Sequence, residues 1–249
     1  MTTDSRYPGR NRRRMIASLA ALAMLTAAAP AKKTGGTDSD NPTCPAEPGW
    51  GAAKAISVTT ATRGGKRVLI ADGIIEESFP ARLKAAIEAD DKIEEIWLKS
   101  RGGDARAGNA AGRIIRSFPG MATRVPAGWT CFSSCNFVFM GGDRRFVEPG
   151  GVFMVHMFTH TSDRDAIDLS VGEGTEETIK LIGEIEQSSA LLASEDNDFL
   201  IRMGISRKLL TDIMYKQQAV ASGANRSTRY CLGQDEVRRY NVAPMEVDG

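Results

Sequence analysis

Short apolar runs alternate with stretches of helical spacing through the middle of the chain. Val68-Leu69-Ile70-Ala71-Asp72-Gly73-Ile74-Ile75 is an apolar run broken by a glycine, Phe79 to Ala89 sets Leu83, Ala86 and Ile87 at helical spacing, and Ile93 to Leu98 is strand-like again. The order strand, helix, strand implies a parallel sheet. A Gly-rich turn, Lys99 to Gly108, then leads into an Ala/Ile helix ending near Phe118, and Ala122 to Pro126 begins a second strand-to-helix crossing. The block Phe137 to Met140 predicts a buried helix closed by Gly141-Gly142, where glycine would accept the left-handed conformation. Gly150 to His156 reads as a buried strand ending on a histidine. The polar segment Thr159 to Gly174 suits a lid or a plain surface loop. Helices follow over Glu176–Met203 and Ile205–Gln217, then a short strand at Tyr230-Cys231-Leu232 and a helix to Tyr240. No internal repeat or second domain boundary emerges, and 249 residues suit one core.

The N-terminal part breaks this pattern. Arg10, Arg12, Arg13 and Arg14 precede an apolar run, Met15 to Ala29, and small-residue sites at Ala29 and Ala31. That order reads as an export signal over 1–31, with a twin-arginine route allowed by Arg12-Arg13-Arg14. The run is short for a bilayer span, so cleavage is favoured and a membrane would be met only through an uncleaved signal. The next stretch has almost nothing to bury and reads as a flexible linker, 32–54, before a domain over 55–249. Removing 1–31 takes away five arginines and one aspartate, which moves the formal charge from +1 to −3. Such a chain offers no basic surface for nucleic acid. Export means a periplasmic or secreted location where disulfides persist, and four cysteines suit two bridges. Cys131 with Cys135 and Cys44 with Cys231 is the preferred pairing; a zinc site built from the cysteines with His156 is the rival.

Candidate chemistry gathers at Cys131-Phe132-Ser133-Ser134-Cys135, which places two serines at the start of the Phe137–Met140 helix. Unpaired backbone N–H groups at a helix start can stabilise an oxyanion, and a serine there needs a base. The chain has two histidines, His156 and His160, both near the end of the following strand. The plainer alternative is that the serines cap the helix and His156 is a strand-end residue.

Taken together, the stretch from about Val68 to His156 resembles the Clp protease proteolytic subunit and the wider Clp/crotonase superfamily, with the nearest likeness to exported Clp-like proteins. Ser100-Arg101-Gly102-Gly103 is similar to the family's oxyanion turn, Ser133 to Gly142 to its nucleophile turn and helix, and Arg144 to His156 to the segment that delivers the base. The resemblance implies a stacked ββα superhelix with a mostly parallel sheet and a helical C-terminal part, an α/β fold. It implies Ser133 as nucleophile, His156 as general base and the N–H groups of Gly103 and Ser134 as oxyanion donors. No cofactor or metal is implied; a peptide or protein substrate and a homo-oligomer are. Two departures stand out. Arg101 replaces the family's proline, and no carboxylate lies in Asn225 to Tyr230 where the triad acid is expected, leaving Asp212 as a weak substitute. A Ser133–Lys99 pair is an alternative taken from the signal peptide peptidase branch. A catalytically inactive periplasmic binding or scaffold protein is the alternative function. Acyl-CoA chemistry fits an exported chain poorly, and the Gly-rich turn lacks the Lys-Ser/Thr signature of a phosphate loop. In this reading a Cys131–Cys135 bridge braces the nucleophile turn.

Overall fold

The apolar runs become the inner strands of a mixed α/β fold with a mostly parallel central sheet. A computed structural model describes residues 36–156, 163–216 and 228–244; the export signal expected over 1–31 and His160 lie outside them.

Composition predicts a linker over 32–54, but the described part carries a hairpin of β1 (Thr37–Asp38) and β2 (Asn41–Pro45). The reason is covalent. Cys44 is bonded to Cys231 across 187 residues of chain, so a segment with little to bury is held by a crosslink. Asn41 Nδ2 adds a hydrogen bond to Arg229 O, and the Cys231 N–H donates to Thr43 Oγ1.

β3 (Ser57–Arg63) and β4 (Lys66–Asp72) form a hairpin, followed by α1 (Phe79–Glu88), β5 (Ile93–Lys99), α2 (Ala105–Arg116) and β6 (Ala122–Val125). Next come β7 (Thr130–Phe132), α3 (Cys135–Met140), β8 (Arg144–Val147) and β9 (Val152–His156). The C-terminal part is helical: α4 (Arg164–Glu173), α5 (Thr175–Arg202) and α6 (Lys208–Lys216), then β10 (Arg229–Cys231) and α7 (Gln234–Arg239). The segment left open as lid or loop is thus a helix from Arg164, with the Asp163 side chain accepting from the Ala166 N–H at its start.

The five-stranded sheet runs β3-β4-β5-β6-β8, antiparallel at the β3 edge and parallel elsewhere. A three-stranded sheet, β10-β9-β7, stands beside it, with β7 and β9 parallel. The two are stitched where Ser100, just past β5, donates its N–H to Thr130 O and accepts from the Phe132 N–H. The main core is a single apolar cluster: Leu69 and Ala71 of β4, Ile96 and Leu98 of β5, and Phe79, Leu83 and Ile87 of α1 all belong to it. Arg145 fastens the C-terminal end by donating to the carbonyls of Gly142, Asn241 and Val242, and burial lowers its pKa to about 10.

Gly141 and Gly142 end α3 without left-handed backbone, contrary to expectation; the φ of Gly141 is −65°. They are glycines because space is missing. A Cβ on Gly141 would lie 2.2 Å from Gly112 O, and one on Gly142 would lie 2.5 Å from Thr123 Oγ1.

Candidate active site

Parallel pairing of β7 with β9 decides what meets at their C-terminal ends. Phe132 is paired with Met154, so Ser133 lies one residue past that pair, just off its strand, and His156, the last residue of β9, lies two residues past it. Ser133 Oγ and His156 Nε2 lie 2.7 Å apart, a short hydrogen bond. Ser133 takes φ +60°, a left-handed conformation that costs a non-glycine residue about 1–3 kcal/mol and is found at functional turns. The sharp turn delivers its side chain to the imidazole. Capping does not account for Ser134, which sits at the N-cap of α3 with no side-chain cap bond.

A second turn packs on the first. Gly102 has φ +85° and Gly103 φ +148°, and a Cβ on Gly102 would lie 2.7 Å from Ser133 Cβ and 3.0 Å from Ser134 N. Only glycine permits that approach. Ser100 Oγ holds the turn by accepting from the Gly102 N–H and donating to Gly73 O. The Ile75 N–H donates to Gly102 O and the Asp104 N–H to Ile75 O. Neither the Gly103 N–H nor the Ser134 N–H donates to a protein acceptor among the described residues.

Helix packing fixes both turns. α2 begins at Gly103-Asp104, with Asp104 Oδ1 accepting from the Ala107 N–H, and presents Gly108 and Gly112 one turn apart toward α3. A Cβ at either glycine would strike α3 backbone: Ser134 O at 2.5 Å for Gly108, and Phe137 O at 2.3 Å for Gly112. The two smooth positions let the helices touch, and α3 carries the serine turn.

All four cysteines are paired as preferred, Cys131–Cys135 across the serine turn and Cys44–Cys231 beside Met154 of β9. The pairing consumes the thiolates that the zinc alternative needs. Lys99, the alternative base, lies 3.9 Å from Asp72 and over the Trp129 ring, while the Ser133 hydroxyl meets His156. Asp212 accepts from the Tyr240 hydroxyl at 2.9 Å, which, after burial, helps to raise the Tyr240 pKa. Of the segment expected to hold a triad acid, 225–227 lies outside the described residues and Arg229–Cys231 is β10. Arg101 lies over Trp50, which packs edge-on against Phe132; the Phe132 ring is 4.8 Å from that of His156.

A cavity of about 240 Å³ opens beside Ser133 and His156. Its walls are largely apolar, with Phe137 and Met140 of α3, Phe153 and Val155 of β9, and Leu192 and Leu209 among them. Three further polar groups line it, of which Asn136 and Asp196 escape sequence reasoning. Ser134 Oγ and Asn136 Oδ1 are buried with no hydrogen-bond partner among the described residues. Asp196, on α5, is half-buried, and burial, with the nearby Glu195 charge, pushes its pKa up to about 7. The signal for Asp196 is its spacing: Leu192, Asp196 and Leu200 lie four residues apart, which sets a carboxylate within an apolar helix stripe.

No protein-family model and no curated protein sequence matches the chain. Solved structures do show likeness. A point variant of ClpP1 from Listeria monocytogenes aligns at 13% identity and a TM-score of 0.45, over 71% of this chain and 88% of that one. An enoyl-CoA hydratase from Shewanella pealeana aligns at 11% identity and 0.42, over 75% and 66% respectively. A serine-to-alanine variant of a membrane-bound stomatin-specific protease aligns at 13% and 0.44, over 71% and 75%. At these scores the likenesses carry no argument about chemistry, which rests on the side chains themselves.

Proposed function

We propose that this chain is an exported serine hydrolase of peptide bonds, with Ser133 as nucleophile, His156 as general base and the N–H groups of Gly103 and Ser134 as oxyanion donors. The observation that carries the reading is the 2.7 Å contact between Ser133 Oγ and His156 Nε2 at a strained turn. Two uncommitted N–H groups on abutting turns support the oxyanion assignment. The peptide substrate rests on the sequence resemblance. Export rests on the basic, apolar, small-residue order of 1–31, and two disulfides fit an oxidising compartment. Among the described residues no helix is long and apolar enough to cross a membrane. A homo-oligomer belongs to the same proposal.

The chemistry runs in two halves. As Ser133 Oγ bonds to the substrate carbonyl carbon, its proton passes to His156 Nε2, which must begin unprotonated, and the oxyanion is met by the two N–H groups. The C–N bond then breaks, the amine leaves with the proton from Nε2, and an acyl-serine ester remains. Water gives a proton to Nε2 and bonds to the ester carbon; release of the carboxylic acid returns that proton to Ser133 Oγ.

The test is digestion of a mixed peptide library by the oxidised protein lacking 1–31, read by mass spectrometry. Cleavage products should appear with the wild type and Ser134→Ala and vanish with Ser133→Ala and His156→Ala. Products that survive Ser133→Ala would sink the assignment, and a library left intact by folded wild type would favour the binding-protein alternative.

A further inference from the structure

The cavity beside Ser133 holds a carboxylate that hydrolysis does not use. Its lining is apolar apart from Ser133, Ser134, Asn136, His156, Ser189 and Asp196, and of these side chains only His156 and Asp196 titrate at ordinary pH. Asp196 makes no hydrogen bond or ion pair among the described residues. Asn136 Nδ2 donates to Met154 O, which fixes the amide orientation and leaves Oδ1 as a buried acceptor without a donor. A buried acceptor left unmatched is costly. One cavity therefore combines an unpartnered carboxylate with walls suited to methylene groups.

We infer that this cavity receives the substrate side chain on the acyl side of the scissile bond and that Asp196 selects a cation on an aliphatic stem, as in lysine or arginine. The inference rests on Ser133 being the nucleophile, since only then does the cavity adjoin the reacting carbonyl. Apolar walls take the stem, as they do wherever long basic side chains bury their methylenes. The head then meets the Asp196 carboxylate. A pKa pushed up to about 7 fits the empty pocket: the unpaired carboxyl is in part protonated near neutral pH and releases that proton to solvent when a cation arrives. An uncharged apolar side chain would fill the same space and leave the carboxylate unmet.

Inactivation of Ser133 by two peptidyl diphenyl phosphonates, alike except for a lysine or a leucine side chain next to phosphorus, tests this on the oxidised protein lacking 1–31. A small fluorophosphonate serves as reference. The lysine-type reagent should react at least tenfold faster than the leucine-type, and Asp196→Asn, which keeps the shape, should bring the ratio close to one. Fluorophosphonate adduct on Ser133 with equal or reversed phosphonate rates overturns the inference and leaves the hydrolase reading standing. An Asp196→Asn protein that slows both reagents with the ratio intact also overturns it, since Asp196 would then only support the fold. No adduct from any of the three reagents overturns both.

Discussion

Replacing Gly112 by alanine would set a Cβ 2.3 Å from Phe137 O, 3.0 Å from Phe137 C and 2.7 Å from Phe199 Cζ. Phe199 can turn aside, but the other two atoms are α3 backbone, so α2 and α3 must part by about 1 Å to restore ordinary contact. Alanine gains about 1 kcal/mol of helix propensity over glycine, while overpacking costs about 1–3 kcal/mol, which leaves a net loss of up to about 2 kcal/mol. Gly183 of α5 is the control, because it is exposed and a Cβ there would meet nothing within 4 Å. Gly183→Ala should stabilise by about 0.4–1 kcal/mol. Urea midpoints at constant m-value give both numbers. The site should register the difference too. α3 carries the Ser133 turn, and a displacement of about 1 Å at a catalytic group can cost on the order of a hundredfold in rate. Fluorophosphonate labelling of Gly112→Ala should therefore slow at least tenfold, with Gly183→Ala unchanged. Should Gly112→Ala keep both its urea midpoint and its labelling rate, the claim that close α2–α3 packing positions the nucleophile is wrong.

Three further outcomes follow from named contacts. Burial alone would raise the Glu95 pKa, but hydrogen bonds from Arg124, Lys66 and Trp97 outweigh it and lower it to about 2. A depressed carboxylate contributes stability that is present above its unfolded pKa near 4.5 and lost as pH falls toward 2, here about 3 kcal/mol. Thermal unfolding between pH 5 and pH 2 should accordingly lose less stability in Glu95→Gln than in wild type, within roughly those limits of linkage. Chain-entropy arithmetic gives about 5 kcal/mol for the long Cys44–Cys231 loop and about 2 kcal/mol for Cys131–Cys135, so paired alanine replacements should rank in that order by urea denaturation. Labelling should show the reverse order, with Cys131→Ala/Cys135→Ala slowed more than Cys44→Ala/Cys231→Ala, because the short bridge spans the serine turn.

Burial explains which parts of the fold could be read from the chain. β4, β5 and β9 are covered by helices or neighbouring strands and keep apolar runs, whereas β3, Ser-Val-Thr-Thr-Ala-Thr-Arg, is an edge strand whose residues are all partly or fully exposed. No burial pattern marks it. β1 and β2 are held by a disulfide and side-chain hydrogen bonds that composition does not register. That a serine of the Ser133-Ser134 pair meets an imidazole was legible because the chain has two histidines, both near the end of the strand after the serine helix; the choice of Ser133 rested on the family resemblance. Asp196 was missed because a helical aspartate in a charged helix looks solvated until the cavity shows what its face meets. Gly141 was noticed for the wrong reason: it is required by the Gly112 carbonyl and not by its own φ.

The most direct test of Ser133 as a nucleophile activated by His156 is fluorophosphonate labelling of the oxidised protein lacking 1–31, with the modified residue located by tandem mass spectrometry. One adduct on Ser133, absent from His156→Ala protein, is the result expected. An adduct on Ser134, or none on folded wild type, would contradict it.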